Sequence, residues 1–421
     1  MLNSEKAPRG ASAHSVLFIV AIASTMIFAG QTRAQSSEAL SSTTIEYINT
    51  LVSKHYLFPI KSEGKSIDDI LRPLDSASQY ISPAKFAESR SDQPRTGIGL
   101  TLISFPEGPI ILSVSRGSPS EGAGLHPGDL IISIDGQQTA GRPINEITRQ
   151  ISGEENTSVQ LTTIRRREKY SFNVSRSHWP RISAEVRRIG ATAYVRIEEF
   201  DEHTIDLIVG GIKNLRHDKS KMNGLVIDLR DCPGGLISEA IMTTDLFIDD
   251  GLIFIESDRD PKYTEKYFAR RGDIASGLPV EVLINARSSS AAELVAGVLQ
   301  ERGRATVVGM PSFGSGLVQT VIPLNDWRDG ALRLTTSAMY LPSGRPLQKI
   351  GVRPDIVVAN GPEDLDHQVR EVDIAGAVDA PSLGPPFPPL KAMSPPDLPP
   401  VGYHSDTGDY QLDRALSLIS Q

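Results

Sequence analysis

The sequence predicts an α/β core with a mixed sheet, preceded by a helical lead and a small β module and followed by a proline-rich tail. Three observations carry that expectation. The apolar runs at 224–229 and 280–284 each pass through a turn of small residues into a helical stretch, as buried parallel strands do. Between residues 97 and 176 the texture is short strands separated by glycine-rich turns. Nine prolines within residues 381–400 forbid regular helix or sheet and favour an extended chain.

Composition sets the outer limits. A chain of 421 residues suggests two or three domains at about 150 residues each. Cys232 is the only cysteine, which excludes an internal disulfide framework and any cysteine-built zinc site. A net charge of −8 argues against nucleic-acid binding through overall charge.

Residues 1–34 read as a signal peptide. Lys6 and Arg9 open it, residues 16–29 are almost wholly apolar, and Thr32-Arg33-Ala34 offers a cleavage site before Gln35. That apolar run is 14 residues, short of the roughly 20 that cross a bilayer, so an uncleaved anchor is the alternative reading. Cleavage leaves 40 basic and 50 acidic residues, a net charge of −10, with no stable membrane span. The expected location is periplasmic or secreted.

Residues 35–95 form the helical lead, amphipathic and interrupted near Phe58-Pro59 and Ser82-Pro83. In the next region, 96–177, Gly97-Ile98-Gly99-Leu100 precedes strands at 110–114 and 130–134. Ala123-Gly124-Leu125-His126-Pro127-Gly128-Asp129 makes the turn between these two strands, and Asp135-Gly136 supplies a tight hairpin turn after the second. This stretch resembles a PDZ domain. The resemblance makes Gly97, Ile98, Gly99 and Leu100 the peptide-binding residues: glycine-turn N–H groups cradle a terminal carboxylate, and the strand edge accepts the peptide. A β module that only packs against its neighbours is the competing reading.

The core spans 178–360. Residues 224–230 lead into Asp231-Cys232-Pro233-Gly234-Gly235-Leu236, whose turn leaves backbone N–H groups free to meet an oxyanion, and a helix is expected at 237–247. The strand at 280–285 leads to Ser288-Ser289-Ser290 and a helix at 291–300. There Ser290 with Glu293 fits a capping box. It also fits a nucleophile at a strand-to-helix turn, with the Ala291 N–H and the helix dipole stabilising negative charge. A third strand enters the glycine-rich loop 309–316, and Tyr340-Leu341-Pro342-Ser343-Gly344-Arg345 and Gly351-Val352-Arg353-Pro354-Asp355-Ile356 close the core. Residues 361–404 read as a proline-rich linker, and 405–421 as a short C-terminal helix.

Taken in order, these segments and Leu74-Asp75-Ser76-Ala77-Ser78-Gln79-Tyr80 resemble the C-terminal processing peptidases, also called tail-specific proteases, over nearly the whole mature chain. The resemblance implies that Ser290 is the nucleophile, that a lysine 25 residues downstream is the general base, and that Gln319 helps hold it. It places the oxyanion hole at Gly235 and Ala291. The sequence departs from that pattern at the base, because position 315 is serine. Met310 and Asp231-Cys232 are smaller departures. A serine hydroxyl needs a base to become a nucleophile, and Ser315 cannot act as one. His203 and Lys349 are the substitutes the sequence offers.

Two functions follow. One is an exported serine endopeptidase that grips exposed C-terminal tails and cuts at Ser290. The other is a catalytically inactive homologue that binds such tails as an adaptor or regulator. The expected partners are unfolded or C-terminally exposed proteins. No metal or organic cofactor is implied, since the chain has no HExxH, no P-loop and no dinucleotide fingerprint.

Overall fold

The computed structural model describes residues 40–420, except 76, 90–94, 104, 106, 143, 180–181, 218–220, 271, 366–367, 375–376, 384–386, 388–389 and 391. The expected signal peptide lies outside the described residues.

The lead forms α1 (Ser42–His55), α2 (Ile67–Leu71), β1 (Gln79–Ile81) and α3 (Pro83–Ser89). The Ser41 hydroxyl caps α1 by accepting the Thr44 N–H, and the Ser66 hydroxyl caps α2 through Asp69 N–H. Ile48, Leu51 and Val52 bury the apolar face of α1 against Ile70, Leu71 and the core strand residues Leu332 and Leu334.

The next region is an antiparallel β module. β2 (Arg95–Gly97), β3 (Leu100–Ile103), β4 (Ile110–Val114), α4 (Pro119–Ala123), β5 (Leu130–Ile134), β6 (Gln137–Gln138), α5 (Ile144–Ile151), β7 (Ser158–Arg165), β8 (Glu168–Ser175) and β9 (Ser177–Trp179) follow in order. Its sheet runs β3-β4-β5-β7-β8, with β6 on β5, while β2 and β9 pair as a separate ribbon. The Asp135-Gly136 turn has φ of 48° and 78° and joins Ile134 to Gln137 in a two-residue hairpin, as the sequence expected. Its core is Ile98, Leu102, Ile111, Ile131, Ile147 and Leu161 with their neighbours.

The core contains β10 (Ala184–Ile189), β11 (Thr192–Ile197), α6 (Thr204–His217), β12 (Gly224–Asp228), α7 (Ile237–Asp245), β13 (Leu252–Asp258), β14 (Thr264–Phe268), β15 (Val280–Ile284), α8 (Ala291–Glu301), β16 (Thr306–Gly309), β17 (Leu317–Pro323), β18 (Ala331–Tyr340) and β19 (Ile356–Val357). Its main sheet, β10-β11-β12-β15-β16-β19, is parallel except for the β10–β11 hairpin. A second, antiparallel sheet runs β1-β18-β13-β14, with β17 on β18. The fold is therefore mixed α/β with a PDZ module. β12 and β15 are buried at every position, which explains their unbroken apolar runs.

Two segments adopt more structure than their composition indicates. Gln79-Tyr80-Ile81 is a strand inside the lead, because it pairs with Arg333, Leu332 and Ala331 of β18. In the proline-rich stretch, Asp397 docks on the core: its N–H donates to the Val357 carbonyl and its own carbonyl accepts the Ala359 N–H. The chain then enters α9 (Tyr410–Ile419), whose Tyr410, Leu412, Ala415 and Ile419 cover Val226, Leu283 and Val308 on one face of the main sheet. Among the described residues no helix is long and apolar enough to cross a membrane.

Candidate active site

Ser290 stands at the turn from β15 into α8 with φ of 54°, a conformation a serine adopts only when its surroundings hold it there. Its N–H donates to Glu293 Oε2 at 2.8 Å. The two preceding serines fasten the loop to the turn after β12. The Ser288 hydroxyl donates to the Leu229 carbonyl at 2.8 Å, and the Ser289 N–H donates to the Cys232 carbonyl at 3.0 Å.

That turn lies against Ser290. A Cβ on Gly234 would fall 2.9 Å from the Ser290 Cβ and 3.0 Å from the Ala291 nitrogen. Gly235 presses on Phe200, whose N–H donates to the Gly234 carbonyl and whose carbonyl accepts the Leu236 N–H. At the start of α8, Ala292 and Leu294 donate their N–H groups to Ser289 and Ser290 carbonyls. The N–H groups of Gly235 and Ala291 have no hydrogen-bond partner among the described residues. Two free donors flanking a serine in a left-handed turn can bind an oxyanion.

Glu293 joins the two halves of the site. Fully buried, it accepts Ser290 N–H and Ser315 N–H on Oε2, each at 2.8 Å, so the two nitrogens lie within twice that distance of each other. Its Oε1 accepts the Ser312 hydroxyl at 2.5 Å and the Gly314 N–H at 2.6 Å. Burial pushes its carboxyl up to about 7, against the pull of these donors. Position 315 therefore sits beside position 290, and the residue there is a serine.

Gln319 on β17 is held from the other side. Its Oε1 accepts from Arg333 Nη2 at 3.0 Å, and its Nε2 donates to the Leu317 carbonyl at 3.3 Å. Burial lowers Arg333 to about 10, leaving it a cation at neutral pH. Neighbouring Thr335 donates its hydroxyl to Asp75 Oδ1 at 3.0 Å and its N–H to the Ser78 hydroxyl. Asp75, Ser78 and β1 thus brace β18, the strand that carries Arg333 and pairs with the Gln319 strand.

The turn before Gly234 is anchored by charge. Asp231 Oδ1 accepts from Arg287 Nε at 2.5 Å and Asn285 Nδ2 at 2.9 Å, and Arg196 lies 3.6 Å from Oδ2. These partners outweigh burial and lower Asp231 to about 2. Asp228, completely buried between Arg230 and Arg196, is held well below the usual carboxylate range.

Of the substitute bases, His203 is an exposed residue whose backbone N–H donates to Asp201. Lys349 packs its backbone on Gly314, but its ammonium pairs with Asp379 at 3.0 Å. The residues that the PDZ resemblance makes peptide-binding form a turn: Gly99 has φ of 81° and its carbonyl accepts the Ser115 N–H, while the Ile98 carbonyl accepts the Ser120 N–H. Among the described residues β3 pairs with β4 on one side only, which leaves its other edge without a strand partner. At its far end Ile103 packs on Phe313, in the loop that carries Ser315.

Sequence reasoning missed the double role of Glu293 and did not see Arg333. The available signal for Glu293 was a lone acidic residue opening an otherwise apolar helix. Nothing local marked Arg333.

Residues 191–358 match the Peptidase family S41 model, and residues 110–165 match a PDZ domain. A carboxy-terminal-processing protease of Bartonella bacilliformis is 37% identical over 305 residues, covering 70% of this chain and 68% of that protein. The chain belongs to peptidase family S41. A CtpA-like serine protease of Staphylococcus aureus is 29% identical, and the match covers 75% of this chain but only 64% of that relative. Among solved structures, the photosystem II D1 C-terminal processing protease superposes with a TM-score of 0.64 at 22% identity, covering 80% of this chain and 98% of that one, which is a likeness of fold.

Proposed function

We propose that this S41 protein is an exported serine endopeptidase of the C-terminal processing type. In this reading the open edge of β3 and the glycine turn at 97–100 take the C-terminal tail of an unfolded or exposed protein chain. Ser290 attacks the peptide carbonyl, the N–H groups of Gly235 and Ala291 hold the oxyanion, and water releases the acyl group. The observation that carries the reading is the shared Glu293 oxygen, which fixes positions 290 and 315 side by side. The family's serine–lysine chemistry is not available, because Ser315 stands where the lysine would be and Gln319 faces Arg333 instead. We assign residues 1–34 to a cleaved signal peptide and the mature protein to the periplasm or the exterior. The region boundaries read from the sequence, with the module at 96–177 and the core at 178–360, belong to the same proposal.

Ser315 also favours a second reading, a catalytically inactive homologue that binds tails as an adaptor or regulator. A gel assay separates the two, using the mature protein and an unfolded substrate ending in apolar residues. Cleavage that disappears in Ser290→Ala supports the peptidase. Cleavage seen only after Ser315→Lys supports the inactive homologue.

A further inference from the structure

The titratable groups around Ser290 and Ser315 are nearly all committed. Glu293 receives four donors on its two oxygens. Asp75 accepts from Ala77 N–H, Ser78 N–H, the Ser78 hydroxyl and the Thr335 hydroxyl. Asp231 is held by Asn285, Arg287 and Arg196, and Lys349 by Asp379.

One carboxyl differs. The chain beyond Asn360 folds back over the loop 312–316 as a strap. Arg370 donates to the Ser312 carbonyl at 2.7 Å and the Ile350 carbonyl at 2.8 Å, and the Glu371 N–H donates to the Phe313 carbonyl at 3.0 Å. Glu371 Oε1 accepts from Gln348 Nε2 at 3.0 Å, and Gln348 Oε1 accepts the Gly316 N–H at 2.8 Å. The Glu371 backbone is thus fixed to residue 313, and its side chain is tied through Gln348 to residue 316, which brackets Ser315. The residue is only 6% exposed, and its Oε2 has no hydrogen-bond partner among the described residues.

We propose that Glu371 is the proton acceptor that replaces the missing lysine, reached from Ser290 through the Ser315 hydroxyl. The inference rests on the peptidase reading above. In the forward step the Ser290 Oγ–H proton passes to the Ser315 oxygen as the Ser315 proton passes to the Glu371 carboxylate. Oγ forms its bond to the substrate carbonyl carbon, and the negative charge moves to the carbonyl oxygen. Collapse of that intermediate breaks the C–N bond, and the leaving amine takes the Ser315 proton as the proton held on Glu371 returns to the Ser315 oxygen. Water then repeats the sequence to release the acyl group and regenerate Ser290. Burial pushes the Glu371 carboxyl up to about 7; the nearby Asp75 charge raises it further, while the Gln348 hydrogen bond and the Lys349 charge oppose the rise. A base poised near working pH combines sufficient ionisation with sufficient proton affinity.

The test measures kcat/KM for cleavage of an unfolded, apolar-ended protein by the mature chain, from well below to well above pH 7. The unmodified protein should show an ascending limb with a midpoint near 7; because Glu293 is raised to the same value, the limb is assigned to Glu371 by its response to Glu371→Gln. Glu371→Gln should lower kcat/KM by about 10²-fold or more and flatten that limb. Glu371→Asp should keep the limb at a reduced rate. Adding Ser315→Lys to Glu371→Gln should restore cleavage, which a merely collapsed scaffold could not do. If Glu371→Gln does not fold, Ser315→Lys alone decides, since the new base should move the midpoint and an unmoved midpoint overturns the proposal. Full activity and an unchanged profile in Glu371→Gln, with Ser290→Ala silent, overturn the Glu371 role and leave the peptidase reading intact. No cleavage by the unmodified protein, or cleavage that survives Ser290→Ala, overturns both.

Discussion

Replacing Glu293 by glutamine tests the joint that holds the site together. The carboxylate accepts four donors, namely the N–H groups of Ser290, Gly314 and Ser315 and the Ser312 hydroxyl, in a fully buried place. A glutamine of the same shape has one acceptor oxygen and can satisfy at most two of them. The other two then face an NH₂ group, and each orphaned buried donor costs about 1–3 kcal/mol, so Glu293→Gln should destabilise the core by about 2–6 kcal/mol. Urea unfolding followed by the fluorescence of Trp327, which stacks on Phe86 with ring centroids 3.9 Å apart, measures the change in midpoint at constant m. Exposed Glu265, which accepts only the Tyr267 hydroxyl among the described residues, serves as control, and Glu265→Gln should stay within about 0.5 kcal/mol. Burial raises the Glu293 carboxyl from 4.5 to about 7, so the folded chain takes up a proton there that the unfolded chain releases. The unmodified protein should therefore gain stability as pH falls from 7 toward 4.5, and its gap to the non-titrating Glu293→Gln variant should widen over that range. A loss under about 1 kcal/mol well above pH 7 would show that the four contacts do not fix the loop.

Other outcomes follow from single positions. Gly235→Ala places a Cβ 2.2 Å from the Phe200 carbonyl oxygen at φ of 135°; calorimetry should show a loss of about 1–3 kcal/mol or more, and any cleavage should fall with it. Asp409→Ala removes the cap of α9, which accepts the Leu412 N–H, and two contacts to the buried Arg230 guanidinium, so unfolding should ease by about 2–5 kcal/mol. Glu281 is a buried carboxyl raised from 4.5 to about 7, chiefly by burial, so the folded chain holds a proton there that the unfolded chain releases. Its share of stability is present below pH 4.5 and is lost as pH rises through 7, on the order of 3 kcal/mol; Glu281→Gln should remove that slope in melting curves taken across the range. Gly99→Ala would set a Cβ 2.2 Å from the Ser118 Cβ, and fluorescence anisotropy should show loss of binding to an apolar C-terminal peptide. Unchanged affinity would move the tail-binding surface away from residues 97–100.

The sequence by itself determined the architecture. Strands buried on both faces must be apolar throughout, and β12 and β15 announced themselves for that reason. Glycine turns with φ beyond the reach of other residues marked the hairpin at Asp135-Gly136 and the turn at Gly234-Gly235. Ser290 and Ser315 were paired by the resemblance to the C-terminal processing peptidases, which implies a lysine where the sequence has Ser315. The sequence could not show what surrounds them. Glu293 looked like a helix cap, and only the folded loop brings Ser312, Gly314 and Ser315 onto its oxygens. Arg333 reaches Gln319, and Asp75 reaches Thr335 across 260 positions of chain, because β17, β18 and the lead are neighbours in space. The strap that brings Glu371 to residue 313 and the docking of Asp397 and α9 were hidden for the same reason. The strap and Asp397 carry no periodic pattern, the apolar spacing of α9 predicts a helix but not the sheet face it covers, and a contact between distant segments exists only once the chain has packed.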